Sequence, residues 1–185
     1  MNFCLWLTGL PGSGKSTILK ELLRMMGTSG IQPVALSLDH IRKIVTPHPT
    51  YTDEERHIVY RSVVVMAQLL TAEGMRHVLI DATGNRREFR DLARALIRDF
   101  GEIYIECPIH ICLEREASRK GQPVEKNLYE RAQKGELCGE MPGVTAPYEA
   151  PLHPEVTVRS DLLSPRESAE RIMTYVRSRW STLLP

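Results

Sequence analysis

No apolar run in this 185-residue chain approaches the ~20 residues needed to cross a bilayer, so no membrane role is expected. Nor does charge of one sign dominate. Lys plus Arg total 24 and Asp plus Glu 23, for a net charge of +1, which offers no basic surface for a nucleic-acid backbone. The four cysteines, Cys4, Cys107, Cys112 and Cys138, contain no C-x-x-C pair. The six histidines contain no H-x-x-x-H or H-E-x-x-H pattern, so a zinc site is not expected. Reduced, mostly buried thiols in a cytoplasmic protein are the expectation instead. No charged leader precedes an apolar segment, so no secretory signal is read. There is no internal repeat and no linker. With 42% hydrophobic residues, the chain reads as one domain over 1–185 with a real core.

What is present starts near the N-terminus. Gly9-Leu10-Pro11-Gly12-Ser13-Gly14-Lys15-Ser16-Thr17 fits G-x-x-x-x-G-K-[ST] without a mismatch. The apolar run Phe3 to Leu7 precedes it, and Ile18, Leu19, Leu22, Met25 and Met26 follow on one helical face, with Gly27 as a C-terminal cap. A strand, then this loop, then a helix is the context that marks a phosphate-binding loop. Gly12 and Gly14 let backbone N–H groups turn toward phosphate oxygens, and the helix N-terminus adds partial positive charge. Lys15 reaches the β- and γ-phosphates of ATP, and the Ser16 hydroxyl ligates Mg²⁺.

The rest alternates strand and helix. Val34–Leu38 reads as a strand ending at Asp39, and Thr46–Tyr51 as a loop. Thr52-Asp53-Glu54-Glu55 is a capping box opening a helix to about Glu73. His77–Ile80 is a strand ending at Asp81. A helix from Asn85, with Phe89, Leu92, Ala93, Leu96 and Ile97 on its apolar face, is closed by Gly101. Ile103–Cys107 is a fourth strand, and a short helix follows Pro108. Arg115–Glu136 is highly charged and helical, while 139–154 is a proline-rich loop. Val156–Val158 is a short strand. Ser164-Pro165-Arg166-Glu167 caps a last helix to about Thr182. The pattern predicts an α/β fold: a single doubly wound domain, with a mostly parallel five-stranded sheet and helices on both faces. Ligands in such sheets bind beyond the carboxyl ends of the strands, where Gly9, Asp39, Asp81 and the loop after Cys107 all fall.

Three features beyond the loop point to phosphoryl transfer. Asp81 ends a buried strand, where a carboxylate holds Mg²⁺ or its waters. Asp39 ends the neighbouring strand, with Arg42 close behind, and suits the role of receiving the acceptor's proton. Capping of the next turn is the alternative for each aspartate. Arg86, Arg87 and Arg90, then Arg115, Arg119 and Lys120, form two basic clusters. Arg87 and Arg90 share a helix face, and guanidinium forks suit phosphate or sulfate oxygens. Arg86 and Lys120 fit solvated surface better.

The late segments Asn127-Leu128-Tyr129-Glu130-Arg131-Ala132, Gly135-Glu136-Leu137, Pro147-Tyr148-Glu149-Ala150-Pro151 and Pro154-Glu155 resemble the G-L-Y-x-x-A-x-x-G-E-I and S-P-Y-E-x-P-x-x-P-E segments of the adenylylsulfate kinase family. Tyr51-Thr52-Asp53-Glu54-Glu55-Arg56 is similar to its F-S-x-E-D-R stretch, and Arg87 and Arg90 match the arginines of S-P-Y-R-x-x-R. The resemblance implies transfer of the ATP γ-phosphoryl to the 3′-hydroxyl of adenylyl sulfate, with Mg²⁺, usually in a homodimer. It implies Arg42, Tyr51, Arg56, Arg87, Arg90 and Leu137 on the acceptor, in part through a loop at about 137–154. It also implies a lid at about 115–136 over ATP, with Arg115 among the ATP ligands.

The chain departs from the family pattern in several places. D-G-D-N-x-R becomes Ser37-Leu38-Asp39-His40-Ile41-Arg42, an expected asparagine is Val59, a serine is Asp81 and a lysine is Cys138. Glu140-Met141-Pro142-Gly143-Val144 replaces the aromatic that stacks on the acceptor's adenine, a contact worth about 1–3 kcal/mol. Two alternatives therefore stay open: a same-fold kinase with another anionic acceptor, and a regulatory nucleotide switch. No N-K-x-D motif supports the switch.

Overall fold

The structure, a computed structural model, describes residues 2–50, 52–72, 74, 76–118 and 142–181. Five strands, β1 (Cys4–Thr8), β2 (Val34–Ser37), β3 (Val78–Asp81), β4 (Phe100–Glu106) and β5 (Val156–Arg159), pair in the order β2-β3-β1-β4-β5. Every pairing is parallel. The described helices are α1 (Lys15–Thr28), α2 (Leu38–Val45), α3 (Asp53–Ala72), α4 (Arg87–Leu96), α5 (Ile109–Ala117) and α6 (Pro165–Arg179).

β1 explains the layering. Its residues alternate between two cores. Leu5 and Leu7, with Phe3 just before the strand, pack with Ile18, Leu22 and Met26 of α1 and Ile172, Met173 and Val176 of α6. Cys4 and Trp6 pack with Val59, Tyr60 and Val63 of α3 and Phe89 and Ala93 of α4. A strand buried on both faces reads as a continuous apolar run, as this one does.

Several boundaries differ from the sequence expectation, each for a physical reason. α1 runs through Gly27 and ends at Thr28, with Ser29 as cap and Gly30 at φ +76° taking the left-handed turn. β2 stops at Ser37, and Leu38 and Asp39 instead open α2. Leu38 and Ile41 face the core from that helix, a three-residue spacing of the helical pattern that the apolar run before it had hidden. α4 starts at Arg87 rather than Asn85, because its cap comes from far along the chain: the Glu149 carboxylate accepts the Arg87 N–H at 2.7 Å. Gly101 lies inside β4 and closes no helix. A Cβ there would stand 2.9 Å from Leu5 Cδ2, so the glycine makes room for the core. α6 ends at Arg179, and its Ser164–Glu167 capping box is formed in both directions.

The start of β1 carries a pH-sensitive contact. Phe3 stacks between Trp180 at 4.6 Å and His77 at 4.1 Å, and its N–H donates to His77 Nδ1 at 3.2 Å. Burial holds the His77 imidazole below its ordinary value of about 6.5, and protonation of Nδ1 removes the acceptor. A depressed folded-state pKa gives stability that is complete above about 6.5 and is lost as pH falls through the folded value. Thermal stability should therefore decline from pH 7 toward pH 5.5, and His77→Gln should flatten that decline. An equal slope in the variant would remove His77 as its source.

Candidate active site

The carboxyl ends of the strands gather the functional residues along one edge, with β1 at the centre. The phosphate loop runs from Gly9 to the start of α1. Gly12 sits at φ +78°, and a Cβ there would meet the Cys112 carbonyl oxygen at 2.5 Å. Any side chain would push the loop off the first turns of α5. Gly14 is the left-handed N-cap of α1, so the first amides of that helix point into the loop without intrahelical acceptors. Ser16 and Thr17 are exposed at this end, while Lys15 is buried along its stem. Lys15 Nζ donates to the Gly9 carbonyl at 3.0 Å and the Leu10 carbonyl at 2.9 Å, which aims the ammonium into the loop. Ser13 Oγ is buried with no hydrogen-bond partner among the described residues.

The loop is braced from behind by a residue that the sequence reading missed. Ser160, just past β5, donates from Oγ to the Ser13 carbonyl at 2.6 Å. Arg115 of α5 reaches the same place, with Nη2 2.7 Å from the Ser160 carbonyl and Nη1 3.5 Å from the Ser13 carbonyl. Position immediately after a buried strand was the one signal for Ser160. Cys107 and Cys112 lie beside Arg115, and burial together with Cys107 pushes the Cys112 thiol up to about 12. Cys4, Cys107 and Cys112 are free thiols. Among the described residues no three His, Cys, Asp or Glu side chains gather as a metal cluster.

Asp81 ends β3 between Leu7 of β1 and Ser37 of β2, beside the phosphate loop. Its carboxylate and the Ser16 hydroxyl are hard oxygen donors, the chemistry Mg²⁺ prefers. Asp39 is exposed in the first turn of α2. One turn on, Arg42 Nη1 lies 3.4 Å from Glu55 Oε1, and Glu55 Oε2 accepts from the Thr50 N–H and hydroxyl at 2.5 and 2.7 Å. Arg56 is buried next to Glu55. These groups converge on Tyr60. Burial raises its phenol pKa, the N–H of Gly84 donates to its oxygen at 3.0 Å, and the charges of Arg42, Arg56 and Asp39 all act on it. Tyr60 thus links α2 and α3 to the loop after Asp81. Val59 is fully buried in the core beside it.

The three arginines after Asp81 have different surroundings. Arg86 forms a two-pronged ion pair with Asp53 at 2.9 Å on the surface. Arg87 is partly exposed and donates to the Ala150 carbonyl at 3.1 Å. Arg90 is 1% exposed, bonded to Glu102 at 2.6 Å and to the Glu149 carbonyl. Arg87 and Arg90 do share a face, and that face holds residues 147–151 as a strap across the edge. Glu155 anchors the end of the strap. Burial works to raise its carboxyl, but Arg94 and the Glu102 N–H outweigh it and hold it below the usual range. Before the strap, Gly143 N–H donates to the Ala146 carbonyl at 2.8 Å, and this turn rests on Leu10 and Ile109. Tyr51, Leu137, Cys138 and residues 119–136, expected as most of a lid, lie outside the described residues.

The chain is similar over most of its length to several known proteins. Adenylyl-sulfate kinases from Rippkaea orientalis and Picosynechococcus sp. are 34% and 36% identical over 168 residues, 91% of this chain and 87% and 89% of theirs. The Mycobacterium tuberculosis APS kinase, solved in complex with AMPPNP and APS, superposes with a TM-score of 0.82 at 28% identity, covering 95% of this chain and 98% of that one. Residues 1–159 match the adenylylsulphate kinase family as a whole. With a complete phosphate loop on a five-stranded parallel sheet, this chain is a kinase and belongs to the adenylylsulphate kinase family.

Proposed function

We propose that this kinase transfers the γ-phosphoryl group of ATP to the 3′-hydroxyl of adenylyl sulfate. The observation that carries the reading is the family match over residues 1–159, on a chain whose phosphate loop is complete. The triphosphate lies on the backbone of Gly9, Gly12, Ser13, Gly14, Lys15, Ser16 and Thr17, with Arg115 on the ATP side. Lys15 Nζ turns from its two carbonyls to the β- and γ-oxygens, where charge builds during transfer. Ser16 and Asp81 would hold Mg²⁺, which would supply neutralising charge to the phosphate oxygens during transfer. Asp39 takes the proton of the attacking hydroxyl. Arg42, Arg56, Arg87 and Arg90, with Tyr51 and Leu137, serve the acceptor. Arg42, Arg56 and Arg87 supply charge to its anionic groups, and Arg90 acts through the strap that it holds. A lid over ATP at 115–136, excluding water so that ATP is not lost to hydrolysis, belongs to this reading of the single domain, and residues 119–136 of it lie outside the described residues. The partners are these two nucleotides and a second copy of the chain, in the cytoplasm. Among the described residues no helix is long and apolar enough to cross a membrane.

A second reading, the same chemistry on another anionic acceptor, is favoured by two observations. Val59, where the family has an asparagine, is sealed in the core, and the turn at 142–146 packs on Leu10. ADP release from Mg·ATP, measured with adenylyl sulfate beside a panel of nucleotides and phosphorylated metabolites, separates the readings. Strong stimulation by adenylyl sulfate supports the first. Stimulation by another compound alone moves the assignment to the second, and ATP loss indifferent to every acceptor points to a nucleotide switch.

A further inference from the structure

Thr8 is the last residue of β1, directly before Gly9, and is fully buried. Its Oγ1 lies 2.5 Å from the Thr83 carbonyl oxygen and 2.9 Å from Tyr148 Oη. A hydroxyl carries one proton, and a carbonyl oxygen only accepts. The Thr8 proton is therefore committed to Thr83, and Tyr148 must donate to Thr8. The result is a directed chain, Tyr148 to Thr8 to Thr83.

That chain joins three segments far apart in sequence: the root of the phosphate loop, the loop after Asp81, and the strap at 147–151. Each end is fixed independently. The Glu149 N–H donates to the Asn85 carbonyl at 2.8 Å, and Arg90 donates to the Glu149 carbonyl. The Arg90 guanidinium lies 5.8 Å from the Tyr148 ring centre, and the Tyr104 ring stacks with that of Tyr148 at 6.2 Å between centroids. Burial raises the Tyr148 phenol well above its usual range, so the donor persists at any physiological pH.

We propose that Tyr148 is a positioning residue for phosphoryl transfer. Its hydroxyl sets the distance between the acceptor-side strap and the phosphate loop. This rests on the proposed division of the edge into an ATP side and an acceptor side. A misplacement of about 1 Å between reacting groups costs on the order of 10²-fold in rate. The ring packing survives in Tyr148→Phe, so only the link is lost.

The test is a double-mutant cycle of Tyr148→Phe and Thr8→Val, with Thr8→Ser as the conservative variant. We expect each single change to lower kcat by roughly 10–100-fold and to raise KM for the acceptor, while KM for ATP stays within about twofold. The double variant should be no worse than the poorer single, and Thr8→Ser should stay near wild type. Unchanged kcat in Tyr148→Phe, or effects that multiply in the double variant, would overturn the proposal. So would losses that follow ATP binding and unfolding temperature together. The cycle is run with whichever acceptor stimulates the wild type, so failure of adenylyl sulfate sinks the functional reading and leaves the link testable. Amide exchange at 82–85 and 147–151 reads the link without turnover. It should be faster in Tyr148→Phe and Thr8→Val, and wild-type rates in both would also overturn it.

Discussion

Lys15→Ala is expected to lower kcat/KM for phosphoryl transfer by about 10³-fold, the scale seen when one preorganised donor to a developing charge is removed. The position explains the size. Lys15 opens α1, its stem is buried, and Nζ is aimed into the loop by the Gly9 and Leu10 carbonyls. Alanine deletes the ammonium and leaves the helix start and the loop glycines in place. Loss of the two hydrogen bonds should cost only about 1–3 kcal/mol of stability. Steady-state kinetics beside a circular-dichroism melt checks both halves. Turnover within tenfold of wild type would contradict the assignment of the loop.

Glu102→Ala is expected to produce the largest loss of stability. Glu102 is 5% exposed in β4, and its carboxylate faces the Arg90 guanidinium at 2.6 Å and Arg94 at 3.4 Å. Removing one member of a buried pair leaves an uncompensated charge, at a cost of about 3–5 kcal/mol. For a domain of this size that lowers Tm by roughly 6–20 °C. The paired replacement Arg90→Met with Glu102→Leu should recover part of the loss, because it leaves no buried charge unpaired, while the Glu149 carbonyl loses its Arg90 donor. A melt of the three variants decides it. If Glu102→Ala melts with wild type, the pair contributes nothing; if the paired replacement is the least stable, burial of charge is not the cause.

The phosphate loop was legible because its signal is local. Nine consecutive residues specify the turn, and the apolar runs on either side specify strand and helix. The sheet was legible for the same reason, since its strands are short runs rich in apolar residues, and β1, β3 and much of β4 are buried on both faces. α2 was hidden because Leu38 continues the run of β2 and only its packing partners reveal the change of period. Gly27 and Gly101 look like helix ends in sequence, yet one is passed over by a helix and the other makes space for Leu5. The hydrogen-bond networks were beyond sequence reading altogether. Tyr148 with Thr8, Arg90 with Glu102, and Ser160 with Ser13 are pairs whose spacing in the chain carries no pattern. Arg90 shows the consequence: as a sequence it looks like an anion ligand, and in the fold it is bonded to a buried carboxylate and the strap.

β1 pairs on one side with β3 and on the other with β4. Once made, β1 therefore has neither of these neighbours until residue 78 is made, and lacks the second until residue 100. At about 5–20 residues per second, that wait is roughly 5–20 s. Through it the apolar run from Phe3 to Leu7 must stay unpaired, and the loop that follows it has no floor. The site that binds the phosphates is thus assembled late in synthesis, and a nascent chain short of β4 is the form most exposed to aggregation and most dependent on chaperones.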